Sequence, residues 1–111
     1  MKRFVAHYLY SSSNVFHQYI VEVENGEVIT FYPFSEEIES TVWLNGIIML
    51  SLTPDYAFHH NTLLSDLIAK MTDGTNSKNP FTPVYAYFLS NVNFTNMTIT
   101  EKSELIKLSD S

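Results

Sequence analysis

Two adjacent histidines, His59-His60, stand just ahead of an apolar stretch, with Asp55 and Asp66 as the nearest carboxylates. Imidazole and carboxylate together form the usual ligand set of a catalytic zinc, which takes three protein ligands and keeps one position open. Neighbouring residues on a strand point to opposite faces, so this pair can share a metal only from a loop. The plainer reading of His59 and His60 is a polar lead into a helix, with no metal bound. His7 and His17 fall inside alternating apolar segments and read as sheet-surface or half-buried side chains. Glu36, Glu37 and Glu39 have the composition of paired acid–base carboxylates, but such a charged run reads as a solvated turn. Cysteine is absent, which removes disulfides, thiolate zinc sites and cysteine nucleophiles. No serine sits in a nucleophile-elbow sequence, and "NGIIML" is not a phosphate loop. No catalytic residue, metal ligand or cofactor is therefore assigned.

Tyr8, Tyr10, Tyr85 and Tyr87 recur at alternate positions in two segments. Cross-strand aromatic packing explains such rows, and a ligand-stacking surface is the alternative. Aromatic residues make up 14% of the chain, enough to form most of a core or of an interface.

Charge narrows the partners. The formal net charge is −6, and residues 22 to 39 carry Glu22, Glu24, Glu27, Glu36, Glu37 and Glu39 with no Lys or Arg. Phosphate binding needs clustered basic side chains, so nucleic acid is not an expected partner. No uninterrupted apolar run approaches the ~18 residues of a membrane span, and "MKRFVAHYLYSSSN" lacks the pattern of a signal peptide. "NFT" at Asn93 and "NMT" at Asn96 match the glycosylation acceptor pattern, and without a secretion signal they read as chance matches. The expected location is the cytoplasm.

The elements that must position these residues are mostly strands. At 111 residues the chain has the size of a single domain spanning residues 1–111. Strand signals cover 4–10 and 16–24. Asn25-Gly26 fits a type I′ turn, in which both central residues need positive φ, and a third strand runs 27–34. Val21, Val23 and Val28 then lie on a dry face and Glu22, Glu24 and Glu27 on a wet one. "PFSEEIES" is a polar connection. Residues 41 to 52, "TVWLNGIIMLSL", are nearly all apolar and should be buried on both faces, with Gly46 marking a bulge or a close backbone approach. "NTLLSDLIAKMTDG" predicts a helix over about 61–73. Asn61 or Thr62 caps it, Leu63, Leu64, Leu67, Ile68 and Met71 form its stripe, and Gly74 stops it. "TNSKNP" is a loop, and "VYAYFLS", "NFTNMTIT" and "ELIKL" add two or three short strands. The expected fold class is mainly β: an antiparallel β-sandwich or half-barrel of six or seven strands with one short α-helix.

The segments "RFVAHYLY", "QYIVEVENGEVITFYPF" and "TVWLNGIIML" together resemble the opening of amidohydrolase-superfamily enzymes. "NVNFTNMTITEKSELIKL" is similar to the closing strands of one bacterial branch. In that family the two chain ends combine into a small β-sandwich, the composite domain, beside a (β/α)₈ barrel. The family's Pro-Gly and alternating metal-binding histidines are replaced here by "LSLTPDYAFHH", so no metal ligand carries over. A barrel needs ~200 residues or more, far beyond what residues 54 to 82 supply. The resemblance thus implies the sandwich without its catalytic barrel.

A sandwich separated from such a neighbour must cover its apolar face. The expected function is a non-catalytic interaction or assembly module, partnered by a second copy or another protein, with Phe81, Tyr85, Tyr87 and Phe88 as interface residues. The alternatives are a small-molecule-binding domain using the tyrosine rows and a metal-dependent hydrolase component built on His59, His60 and Asp55.

Overall fold

The computed structural model describes residues 1–35, 40–75 and 82–110. In chain order the strands are β1 (Lys2–Val5), β2 (Tyr8–Ser11), β3 (Asn14–His17), β4 (Tyr19–Glu24), β5 (Glu27–Pro33), β6 (Thr41–Trp43) and β7 (Gly46–Ser51). Helix α1 (Leu64–Met71), β8 (Tyr85–Ser90) and β9 (Leu105–Lys107) follow. The strands form two sheets, ordered β5-β4-β1-β6 and β3-β2-β7-β8-β9. This is the expected mainly β sandwich with one short helix.

Three stretches of chain serve both sheets. Residues 2–11 leave the four-stranded sheet at Ala6-His7 and enter the five-stranded one. Residues 14–24 cross the other way at Gln18, and 41–51 cross at Leu44-Asn45. The three corners are tied together. The Gln18 amide donates to the His7 carbonyl (3.3 Å), the Leu44 amide to Val5 (2.8 Å) and the Phe34 amide to Gln18 (3.0 Å). Gln18 has φ 53, a left-handed conformation that turns the strand at this point. These breaks explain why more, shorter strands form than the sequence pattern predicts. They also bring β6 beside β1 and β7 beside β2 as parallel pairs, where antiparallel pairing alone was expected.

The hairpin forms as its sequence dictates. Asn25 and Gly26 have φ 55 and 76, the positive values of a type I′ turn. Val21, Val23 and Val28 face the space between the sheets, where Phe4, Leu9, Ile48, Leu50, Ala86 and Phe88 meet them. On the other face Glu22 accepts from Tyr32 Oη (2.6 Å) and Arg3 Nε (3.2 Å). That face is not wholly wet. One row of paired residues, Trp43, Val5, Ile20 and Tyr32, crosses all four strands, and Val5 and Ile20 have no exposure.

The centre of the five-stranded sheet is dry on both sides, as "GIIMLS" implies: every residue of β7 is buried. Ile48 and Leu50 face the sandwich interior. Ile47 and Met49 face α1, whose Leu64, Leu67 and Met71 join Tyr87, Leu89 and Val92 in a second core. Each fully buried side chain of this kind contributes about 1.5–3 kcal/mol. At Gly46 a Cβ would overlap the Leu89 carbonyl oxygen and the Phe88 ring, so the close approach read from the sequence is real.

The helix begins at Leu64, three residues after the expected start at about 61. Leu63 occupies the N-cap with no side-chain bond, because the Thr62 amide donates to the His59 carbonyl (3.2 Å) and 59–62 form a separate turn. At the other end Gly74 has φ 78, the expected left-handed stop. Residues 93–100 are not a strand. They form a turn closed by a single bridge between Asn93 and Thr98, since Asn93 Oδ1 accepts from the Thr95 amide (3.0 Å) and Asn96 Oδ1 from Thr98 Oγ1 (2.7 Å). Such Asn side-chain bonds favour turns over ladders. No helix among the described residues is long and apolar enough to cross a membrane.

Candidate binding groove

His7 and His17 pack around one aromatic cluster, whose Tyr8 and Phe94 rings lie 5.8 Å apart. His7 packs on Phe94 with ring centres 4.8 Å apart, and His17 packs edge-on against Tyr8 at 4.9 Å. His60 Nε2 lies 2.8 Å from the Ser103 carbonyl oxygen. A carbonyl only accepts, so Nε2 carries the proton and the ring is anchored across a distance of many residues. His59 is exposed. Among the described residues no three His, Asp or Glu side chains converge as a metal-binding group. Glu36, Glu37 and Glu39 lie outside the described residues, as does Phe81.

The remaining residues singled out in the sequence are distributed over one sheet. Tyr8 and Tyr10 on β2 and Tyr85 and Tyr87 on β8 all face the helix side, with Ile47 and Met49 of β7 between the two rows. The rows therefore do not touch. Tyr87 is 3% exposed and Phe88 9%, and the Tyr87 hydroxyl donates to the Thr53 carbonyl (2.7 Å). Burial, then the nearby Asp55 charge, raises the Tyr87 pKa. Tyr85 is half-buried, with Lys107 Nζ 5.0 Å above its ring. β8 is an inner strand covered on both faces, so Tyr87 and Phe88 are used inside the chain and offer little surface to a partner.

Two of the cavities among the described residues exceed 400 Å³. One of about 530 Å³ lies among Asn45, Asn91, Asn93, Phe94, Thr100 and Lys102. Most of its polar atoms already bond each other. Asn91 Nδ2 donates to the Lys102 carbonyl (3.0 Å), and Thr100 Oγ1 donates to the Asn91 carbonyl (2.8 Å).

The second, about 450 Å³, is a groove between α1 and the β2–β3 hairpin. Tyr10 and Val15 form its floor. They are directly opposed across β2 and β3, so both point to the helix side. Leu64, Ile68 and Ala69 form one wall and Met97 closes the far side. Ser12, Ser13 and Ser65 are its polar contributors, and no lining residue carries a formal charge. The hairpin is fastened to the end of the helix: Thr72 Oγ1 donates to the Ser12 carbonyl (3.0 Å), and the Ser11 and Thr75 hydroxyls are 3.0 Å apart. The groove wall and floor therefore hold a fixed spacing. Burial, then Tyr8, raises the Tyr10 pKa, which keeps its hydroxyl neutral. Val15 is 45% exposed and lies on a terminal strand of its sheet. A largely apolar concavity of this size with a few polar groups is the usual form of a binding site.

Sequence reasoning marked Tyr10 as a row member and Ile68 as part of a helical stripe, but missed Val15 and Met97. Their only sequence signal is an apolar residue inside an otherwise polar turn-rich segment. No protein-family model, curated protein or solved structure matches the chain, and the likeness to amidohydrolase openings rests on strand pattern and turn placement.

Proposed function

We propose that this protein is a non-catalytic interaction module that docks its partner in the groove between α1 and the β2–β3 hairpin. The observation that carries this is the groove itself: about 450 Å³, uncharged, mostly apolar and bordered by β3, a terminal strand of its sheet among the described residues. His7, His17 and His60 are engaged by Phe94, Tyr8 and the Ser103 carbonyl, which supports a packing role for them over a catalytic one. In the amidohydrolase resemblance, the chain would correspond to the composite sandwich acting without its barrel.

A small apolar molecule is the second reading, favoured by Tyr10 at the groove floor and by the cavity volume. Native mass spectrometry of the gently purified chain and of Ile68→Asp tests both. A bound mass present on the native chain and lost from the variant supports the groove. A bound mass that survives Ile68→Asp, or a bare monomer for the native chain, contradicts it.

A further inference from the structure

We infer that Asn25 is a self-modification site: it deamidates through the Gly26 nitrogen at a rate restrained by the Asp110 carboxylate, and the product frees the tail from the hairpin turn.

The chemistry needs only an Asn-Gly pair and water. The Gly26 backbone nitrogen bonds to Asn25 Cγ, the Cγ–Nδ2 bond breaks, and ammonia leaves with the proton that the nitrogen gives up. Water then opens the five-membered imide at either carbonyl, leaving aspartate or isoaspartate at 25. Glycine favours this step because no Cβ obstructs the approach of its nitrogen. Asn25 is exposed, and a Cβ built on Gly26 would meet nothing within 4 Å. The turn therefore stands in open space where the ring can close.

The tail is what restrains it. Leu108 is buried and its amide donates to the Ala86 carbonyl (2.8 Å), which holds the following residues near the turn. Asp110 Oδ1 accepts from the Gly26 amide (3.3 Å) and Oδ2 from the Asn25 amide (3.1 Å). The attacking nitrogen must break the first of these bonds and lose its proton. A carboxylate beside it opposes the negative charge that develops there. The turn must shed the tail before it reacts, so the rate follows the fraction of open turns.

The product holds the turn open. Isoaspartate inserts one more backbone carbon between the two amides that Asp110 spans. Either product adds a carboxylate between the opposed Glu24 and Glu27, in a chain already at net charge −6. Like charges at such short range disfavour the return of Asp110. The reaction runs one way, and the turn acts as a timer.

The chain carries its own control. Asn45-Gly46 is the same dipeptide, but Gly46 is buried, pairs with Ser90 and lies against the Leu89 carbonyl. Asn45 can react only when β7 leaves β8. Peptide mass spectrometry of the folded chain, incubated at neutral pH, should show Asn25 deamidating while Asn45 stays intact. Asp110→Ala should speed Asn25 about threefold or more through the larger open fraction, with Asn45 still intact. If Asp110→Ala unfolds, revealed by Asn45 reacting too, Asp110→Asn takes its place and should also speed Asn25 alone. Asn25→Asp, which carries the product's charge, should melt below the native chain and lose most of that difference in an Asp110→Ala background. An Asn25 as inert as Asn45, or a folded Asp110 variant no faster than the native chain, overturns the restraint by Asp110. A destabilisation by Asn25→Asp that is undiminished without Asp110 overturns the release of the tail.

Discussion

The carboxylate of Asp110 accepts hydrogen bonds from the backbone amides of Asn25 (3.1 Å) and Gly26 (3.3 Å), at the far end of the chain. The tail thus caps the turn of the first hairpin. The Asn25 amide, ahead of the Gly26 amide, lowers the Asp110 pKa below the ordinary carboxylate value. A depressed carboxylate adds stability above its unfolded pKa and loses it as pH falls through the folded one. Asp110→Ala should therefore melt below the native chain at pH 7, with the difference closing as the buffer is taken through and below the usual carboxylate range. A gap that persists in strong acid would mean the contribution is not ionic.

Tyr87 provides the opposite limb. Its pKa is raised, so the stability it contributes is complete below the ordinary tyrosine pKa of ~10 and is lost as pH rises through the folded value. Tyr87→Phe removes the donor to the Thr53 carbonyl, which is exposed enough to take water in its place, a cost of about 0.5–1.5 kcal/mol at neutral pH. The variant should also show a shallower loss of stability in alkali. Urea melts at pH 7 and pH 10.5 would read both effects.

Gly46 and Gly26 are both small for different reasons. A methyl group at 46 meets the Leu89 backbone oxygen, which cannot move without disturbing the β7–β8 pairing. Gly46→Ala should cost about 3 kcal/mol or prevent folding. Gly26 has open space around it but φ 76, so Gly26→Ala should cost only about 1–2 kcal/mol of backbone strain. Similar losses at the two positions would show that the close approach at Gly46 is not what the chain needs.

The helix is held by its stripe. Leu67 is 1% exposed against β7, and Leu67→Ala should cost about 2–5 kcal/mol. The cap contributes little, since Leu63 makes no side-chain bond. Leu63→Asp should then raise stability by ~0.5–2 kcal/mol through a new N-cap, measurable in the same melts.

Local chemistry explains what was legible in the sequence. Asn25-Gly26 names its own turn, Gly46 sits where only hydrogen fits, and the unbroken apolar run of β7 requires two covering faces. The corners at His7, Gln18 and Asn45 carry no such signature. Gln18 adopts a left-handed conformation where its amide donates to the His7 carbonyl and its carbonyl accepts from the Phe34 amide, which is a tertiary cause. Reading through these corners merges short strands and hides the parallel pairs. Of the residues expected at an interface, Tyr87 and Phe88 are buried for a related reason. Whether an aromatic row is core or exterior depends on strand order, and β8 lies between β7 and β9. The groove was illegible because Tyr10, Val15, Ile68 and Met97 are neighbours only after the hairpin closes against the helix.

The most direct single measurement is native mass spectrometry of the gently purified chain and of a folded Ile68→Asp variant. Docking in the groove between α1 and the β2–β3 hairpin requires a bound mass on the native chain that the variant loses. A native chain that carries no bound mass, or one whose bound mass survives Ile68→Asp, would contradict it.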